Sequence, residues 1–171
     1  MKRFDFMGVF LGIMVAIGVV SCGDAPTSQA DDVEARLAFG LRVAGTYVGV
    51  GQAGNDPERS FADILTFTIG GTYTGTSEDG DLSNGFNSPE HGAWERVGER
   101  EIAIGSIVLH YDTEGSEEYV YRINGTGTFD ADFNQLSAAF VNEVFTLDQD
   151  PLRDEPIAVQ EGSVELERLR P

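Results

Sequence analysis

From Val43 onward, apolar and polar residues alternate in strand-length stretches, and most stretches stop at a cluster of Gly, Asp, Asn or Pro. Alternation at a period of two puts one set of side chains on each face of an extended strand, so such a segment buries its apolar set in a sheet and not in a helix. This pattern predicts strands over 43–51, 61–69, 71–77, 92–97, 101–111, 117–129, 135–147 and 156–169. Gly70-Gly71 reads as a tight hairpin turn, Asp112-Thr113-Glu114-Gly115 as another, and Asn134 closes a turn after Asp130-Ala131-Asp132. Eight antiparallel segments in series leave two exposed edges unless the first meets the last, and closure removes both. The expectation is an all-β fold: an eight-stranded antiparallel up-and-down barrel over residues 43–171. One short helix precedes it over 31–42, where Val33, Leu37, Phe39 and Leu41 follow the candidate caps Asp31 and Asp32.

The beginning of the chain has a different character. Met1-Lys2-Arg3 is a short basic head, and Met7 to Val20 is an uncharged run of fourteen residues, whereas a helix that spans a bilayer needs roughly twenty. That order is the order of an export signal. Val19-Val20-Ser21-Cys22 resembles the bacterial lipobox, with an aliphatic residue three places before the cysteine and a small residue directly before it. The resemblance implies cleavage before Cys22 and transfer of a diacylglyceryl group to its thiol. Residues 1–21 are then a lipoprotein signal peptide and residues 22–30 a lipidated tether, small and polar with one proline. Each buried methylene of such an anchor contributes about 0.8 kcal/mol, and two chains hold where one does not. The protein is expected to be an exported, membrane-anchored lipoprotein of the cell envelope. Gly23, standing where an aspartate would favour the inner membrane, leans towards the outer membrane in a two-membrane bacterium. Cys22 is the only cysteine, so once lipidated it leaves the domain with no disulfide, thiolate nucleophile or thiolate metal site.

The chain carries 11 basic and 29 acidic residues, a net charge of −18. Loss of residues 1–21 removes Lys2, Arg3 and Asp5, and with them the only lysine. A surface of that sign is repelled by phosphate backbones and by anionic headgroups. Nucleic acid is excluded as a partner, the membrane is reached through the lipid alone, and any charged partner is expected to be cationic.

Several segments together resemble a widespread set of small bacterial barrel proteins: Gly45-Thr46-Tyr47, Leu65-Thr66-Phe67, Gly71-Thr72-Tyr73, and Ser88 to Arg96 with Gly98 and Arg100. Those are similar to the calycin superfamily, which includes the lipocalins. The resemblance covers roughly residues 43–169 and implies an eight-stranded cup that holds a small apolar molecule. Tyr47 stands where a lipocalin has tryptophan, and no histidine follows His110 where a haem-binding barrel of similar shape would place its ligand.

One inward phase of the strands collects Tyr47, then Leu65, Phe67 and Ile69, then Tyr119, Tyr121 and Ile123, with Trp94 and Phe140 as companions. Tyrosine and tryptophan offer an apolar body with one polar handle, which suits a small, partly apolar ligand, and Tyr47, Phe67, Trp94, Tyr121 and Phe140 are the candidate binding residues. The same side chains also suit a filled core. A barrel cyclase or isomerase is the alternative, with His91, Glu90 or Tyr121 moving a proton; a buried carboxylate or histidine facing a cavity favours it, and a purely apolar lining favours a carrier. A non-catalytic structural or partner-binding envelope protein is the third class. Asp79, Asp81, Ser83, the Gly85 carbonyl, Asn87 and Glu90 fall on the ligand spacing of a twelve-residue calcium loop, although Asn84 takes the place of its turn glycine. No other cofactor is implied.

Overall fold

A computed structural model of the chain describes residues 27–54, 60–79 and 85–170. It contains one helix, α1 (Thr27–Val43), and nine strands: β1 (Gly45–Ala53), β2 (Ser60–Phe67), β3 (Thr72–Asp79), β4 (Phe86–Asn87), β5 (Glu90–Arg96), β6 (Glu101–Tyr111), β7 (Glu117–Phe129), β8 (Gln135–Thr146) and β9 (Ala158–Arg168). Every ladder is antiparallel. The order β1-β2-β3-β5-β6-β7-β8-β9 returns to β1, because Tyr47 to Ala53 pair with Arg168 to Gly162. The protein is therefore a closed eight-stranded up-and-down barrel with a single helix on its N-terminal side. The two-residue strand β4 is the addition, laid on β6 beyond the start of β5, with Phe86 opposite Tyr111 and Asn87 opposite His110.

Cross-strand register fixes which residues face inward. Tyr47 is opposite Leu65, Leu65 opposite Gly75, and Gly75 opposite Glu90, and the same phase continues through Val108, Tyr121 and Val144. β2 ends at Phe67, so Ile69, expected to point inward, lies in the turn and is 44% exposed. Thr68 holds that turn: its hydroxyl donates to the Thr72 carbonyl, and its own carbonyl accepts from the Trp94 indole at 3.1 Å.

The two ends of the barrel are built differently. At one end the links 68–71, 97–100 and 130–134 are short turns, and the interior there is solid. Phe39 and Val43 of α1 enter it and meet Tyr47, Phe67, Trp94, Phe129 and Phe133, all buried. Phe39 packs edge-on to Phe133 with centroids 5.6 Å apart, and Phe129 stacks on Phe133 at 5.0 Å. Each such side chain removed from water contributes about 1.5–3 kcal/mol. Arg168 closes the seam where the helix ends. It donates to the Arg42 carbonyl at 2.9 Å and to the Ala44 carbonyl, satisfying groups that a helix leaves open at its C-terminus. The Tyr47 hydroxyl lies within hydrogen-bond reach of the Val43 and Phe133 carbonyls, at 3.2 and 3.1 Å.

The helix begins at Thr27, four residues before the start expected from sequence, and takes up the last part of the segment read as tether. Only its final turns are buried; Val33, Leu37 and Leu41 stay exposed. Among the described residues, no helix is long and apolar enough to cross a membrane. At the other end of the barrel the links are longer, and the interior opens.

Candidate functional site

That open half encloses a cavity of about 730 Å³. Its apolar wall comes from Phe61, Leu65, Ile104, Val108, Ile123, Phe140 and Val164, each the inward member of its strand. Two glycines on adjacent strands keep the space clear. A Cβ on Gly51 would stand 2.1 Å from the Phe61 ring, and one on Gly162 would stand 2.3 Å from the Phe140 ring, so the missing side chains let both rings lie back against the wall. The two rings meet edge to face with centroids 6.2 Å apart.

Ala53 and Phe86 add apolar surface, and most of the remaining lining is polar. Asp63 and Glu90 both face the cavity, and each is only 6% exposed. Asp63 Oδ1 accepts from the Ser77 hydroxyl directly opposite on β3, at 2.8 Å. Glu90 Oε1 accepts from the Tyr73 hydroxyl at 2.6 Å and from the Ser106 hydroxyl. Burial pushes the Asp63 carboxyl up to about 6; the Ser77 hydrogen bond opposes that rise and the nearby Glu90 charge adds to it. Burial, and then Glu90, push the Tyr73 phenol up as well, so Tyr73 stays a donor throughout the neutral range.

At the mouth, His110 lines the cavity with its Nδ1 3.0 Å from Asn87 Oδ1 and its Nε2 3.8 Å from Glu118 Oε2. Its ring stacks on Tyr121 at 5.4 Å. Beyond Gly75, β3 makes no ladder with β5 among the described residues, and β4 pairs with β6 alone. Thr76 and Ser77 border the cavity on one side of that gap, and Gly85 to Ser88 on the other. The long link 147–157 contributes no residue to the lining of the cavity. It folds against the outside, where Arg122, paired with Glu143 at 2.7 Å, donates to the Pro151 carbonyl and lies over the Phe145 ring.

Of the five binding residues expected from sequence, Tyr121 and Phe140 line the cavity. Tyr47, Phe67 and Trp94 do not: they belong to the packed half, because α1 and Phe133 fill the barrel at that end. Among the candidates for proton transfer, Glu90 and Tyr121 reach the cavity, whereas His91 is exposed on the outer face. The register explains the split. β5 starts at Glu90, two residues earlier than the pattern suggested, so Glu90 takes the inward phase of Trp94 and His91 the outward one. Of the calcium-loop set, Asp81 and Ser83 lie outside the described residues and Asp79 ends β3. Asn87 is engaged with His110, and Glu90 with Tyr73 and Ser106. Cys22, the signal segment and the first part of the tether also lie outside the described residues.

Asp63, Phe61 and Asn142 were not singled out in the sequence, and Ser106 and His110, whose spacing forms no recognisable triad or metal motif, were not among its candidate site residues. The signal was present for most of them, since Phe61 and Asp63 share the phase of Leu65 and Phe67, and Asn142 shares that of Phe140. A scan of protein-family models, a search of the curated proteins and a search of the solved structures each gave no match to this chain.

Proposed function

We propose that this is an exported lipoprotein, anchored through lipid on Cys22, whose calycin-like barrel binds a small, partly apolar molecule. The observation that carries the binding reading is the cavity itself: about 730 Å³ in the open half of the barrel, apolar on most of its wall, with a few polar groups converging inside. The lipobox-like Val19-Val20-Ser21-Cys22 supports the anchor.

A single experiment reads both parts. Protein extracted gently from membranes and weighed intact by native mass spectrometry should carry the covalent mass of acyl chains, absent from Cys22→Ser, and a non-covalent one-to-one small-molecule adduct. Ile123→Trp, which places a bulky indole ring in the cavity, should lose the adduct and keep the acyl mass. A wild-type protein without acyl mass would remove the anchor; an adduct unchanged in Ile123→Trp would remove the cavity as its site.

A second reading, a barrel isomerase or cyclase, is favoured by one observation: Asp63 and Glu90 are buried carboxylates that face the cavity. In that reading Glu90 moves the proton and Tyr121 sits within the site, while His91 takes no part. Deuterium from solvent would then enter a carbon position of the bound molecule, and Glu90→Gln would stop it.

A further inference from the structure

We propose that the ligand is a small organic cation, an apolar body bearing an ammonium group, with the ammonium directed to Asp63 and Glu90 and the body against Phe61, Tyr121 and Phe140. The inference rests on the reading of the barrel as a small-molecule binder and adds the charge and shape of what it holds.

Each of the two carboxylates lacks a counter-charge among the described residues. Asp63 and Glu90 stand on the strands either side of β3, opposite Ser77 and Gly75, and both point inward. Hydroxyls approach both, and the Ile64 backbone N–H approaches Asp63, but no cation does among the described residues. Ser77 donates to one oxygen of Asp63, while Tyr73 and Ser106 both donate to Oε1 of Glu90. Glu90 Oε2 lies over Gly75, where a Cβ would stand 2.6 Å from it, and receives no donor among the described residues. Neither carboxylate forms an ion pair among the described residues, and no arginine or lysine lines the cavity. A buried charge is costly unless a counter-charge and further hydrogen bonds accompany it. Here the protein supplies hydrogen bonds and no counter-charge.

A second observation points the same way from another wall. Asn142, on β8, lines the cavity, and its Oδ1 is buried without a hydrogen-bond partner among the described residues. The interior thus presents acceptors in excess of donors, the complement of a group that carries several N–H bonds and a positive charge. The apolar wall adds the other half of the specification. Phe61, Phe140 and Tyr121 provide ring faces that attract a cation and bury a hydrocarbon body. An anion would meet two carboxylates; a neutral alcohol would answer the acceptors but not their charge.

The test uses the full-length protein in detergent at neutral pH, titrated calorimetrically with three probes of one shape: 4-phenylbutylammonium, 4-phenylbutan-1-ol and 4-phenylbutanoate. The ammonium should bind at least about tenfold more tightly than the alcohol, the difference expected when charge-assisted hydrogen bonds replace neutral ones, and the carboxylate should bind least. Asp63→Asn and Glu90→Gln should each remove most of that preference, while circular dichroism and cooperative urea unfolding like those of wild type show that the barrel is intact. If the alcohol binds as well as the ammonium, the cation is refuted and the binding barrel stands. If none of the three binds, both fall.

Discussion

Asp63 illustrates how a single side chain carries both a cost and a use. Its carboxyl titrates at 3.8 in an unperturbed setting and near 6 in the fold, so the folded protein keeps a proton over a window in which the unfolded chain has lost it. Stability linked to this group is therefore complete below the lower value and is lost as pH rises through the higher one. A shift of about two units corresponds to roughly 3 kcal/mol. Asp63→Asn keeps an oxygen for Ser77 and has no charge to desolvate. Urea unfolding of the variant without ligand should show about 1–3 kcal/mol more stability than wild type at neutral pH, and a flatter dependence between about pH 4 and 6. A variant less stable than wild type at neutral pH would mean that the carboxylate is compensated within the protein. At the same scale, Phe133 holds a φ of +58°, a conformation that costs a bulky residue on the order of 1–3 kcal/mol. The contacts of its buried ring with Phe39 and Phe129 offset that strain. Nothing in the local sequence of Asp132-Phe133-Asn134 announces it, because much of the reward comes from α1, which lies before the seven strands β1 to β7 in the chain.

Among the elements, the eight long strands were legible almost to their ends, because period-two alternation and turn residues act locally. The site was less legible, for the same geometrical reason that the strands were easy to find. With a side-chain period of two, the boundary of a strand hardly changes its recognition, but its phase decides which residues face inward. Beginning β5 at Glu90 puts Glu90 beside the cavity and His91 in solvent. The helix shows the opposite limit. Its apolar residues Val33, Leu37 and Leu41 fit the pattern of a helix but not its burial, since the barrel accepts only Phe39, Gly40 and Val43. α1 is accordingly a plug anchored by two side chains, Phe39 and Val43. Phe39→Ala should cost about 3–5 kcal/mol of stability in chemical denaturation. It should also shift Trp94 emission to longer wavelength, because Trp94 packs 6.1 Å from Phe39 and would meet water, while a cavity ligand should bind as before. Loss of ligand binding together with the emission shift would show that plug and cavity are one unit.

The whole molecule is a barrel divided along its axis: a solid half made by the helix and the short turns, and a hollow half at the end of the longer links. The strand pattern admits either a filled core or a cup, and it puts aromatic residues of both halves on one inward phase. The division depends on where the helix enters, which no strand pattern encodes. It has a direct consequence for fluorescence, since Trp94, the only tryptophan, sits in the packed half against the plug and is a poor reporter of the cavity. Phe140→Trp moves a reporter to the cavity wall. Titration of the full-length variant with 4-phenylbutylammonium should give a saturable change in tryptophan emission that wild type, reporting through Trp94 alone, does not show. No change in the variant, or an equal change in both proteins, would contradict a ligand-binding cavity in the open half of the barrel.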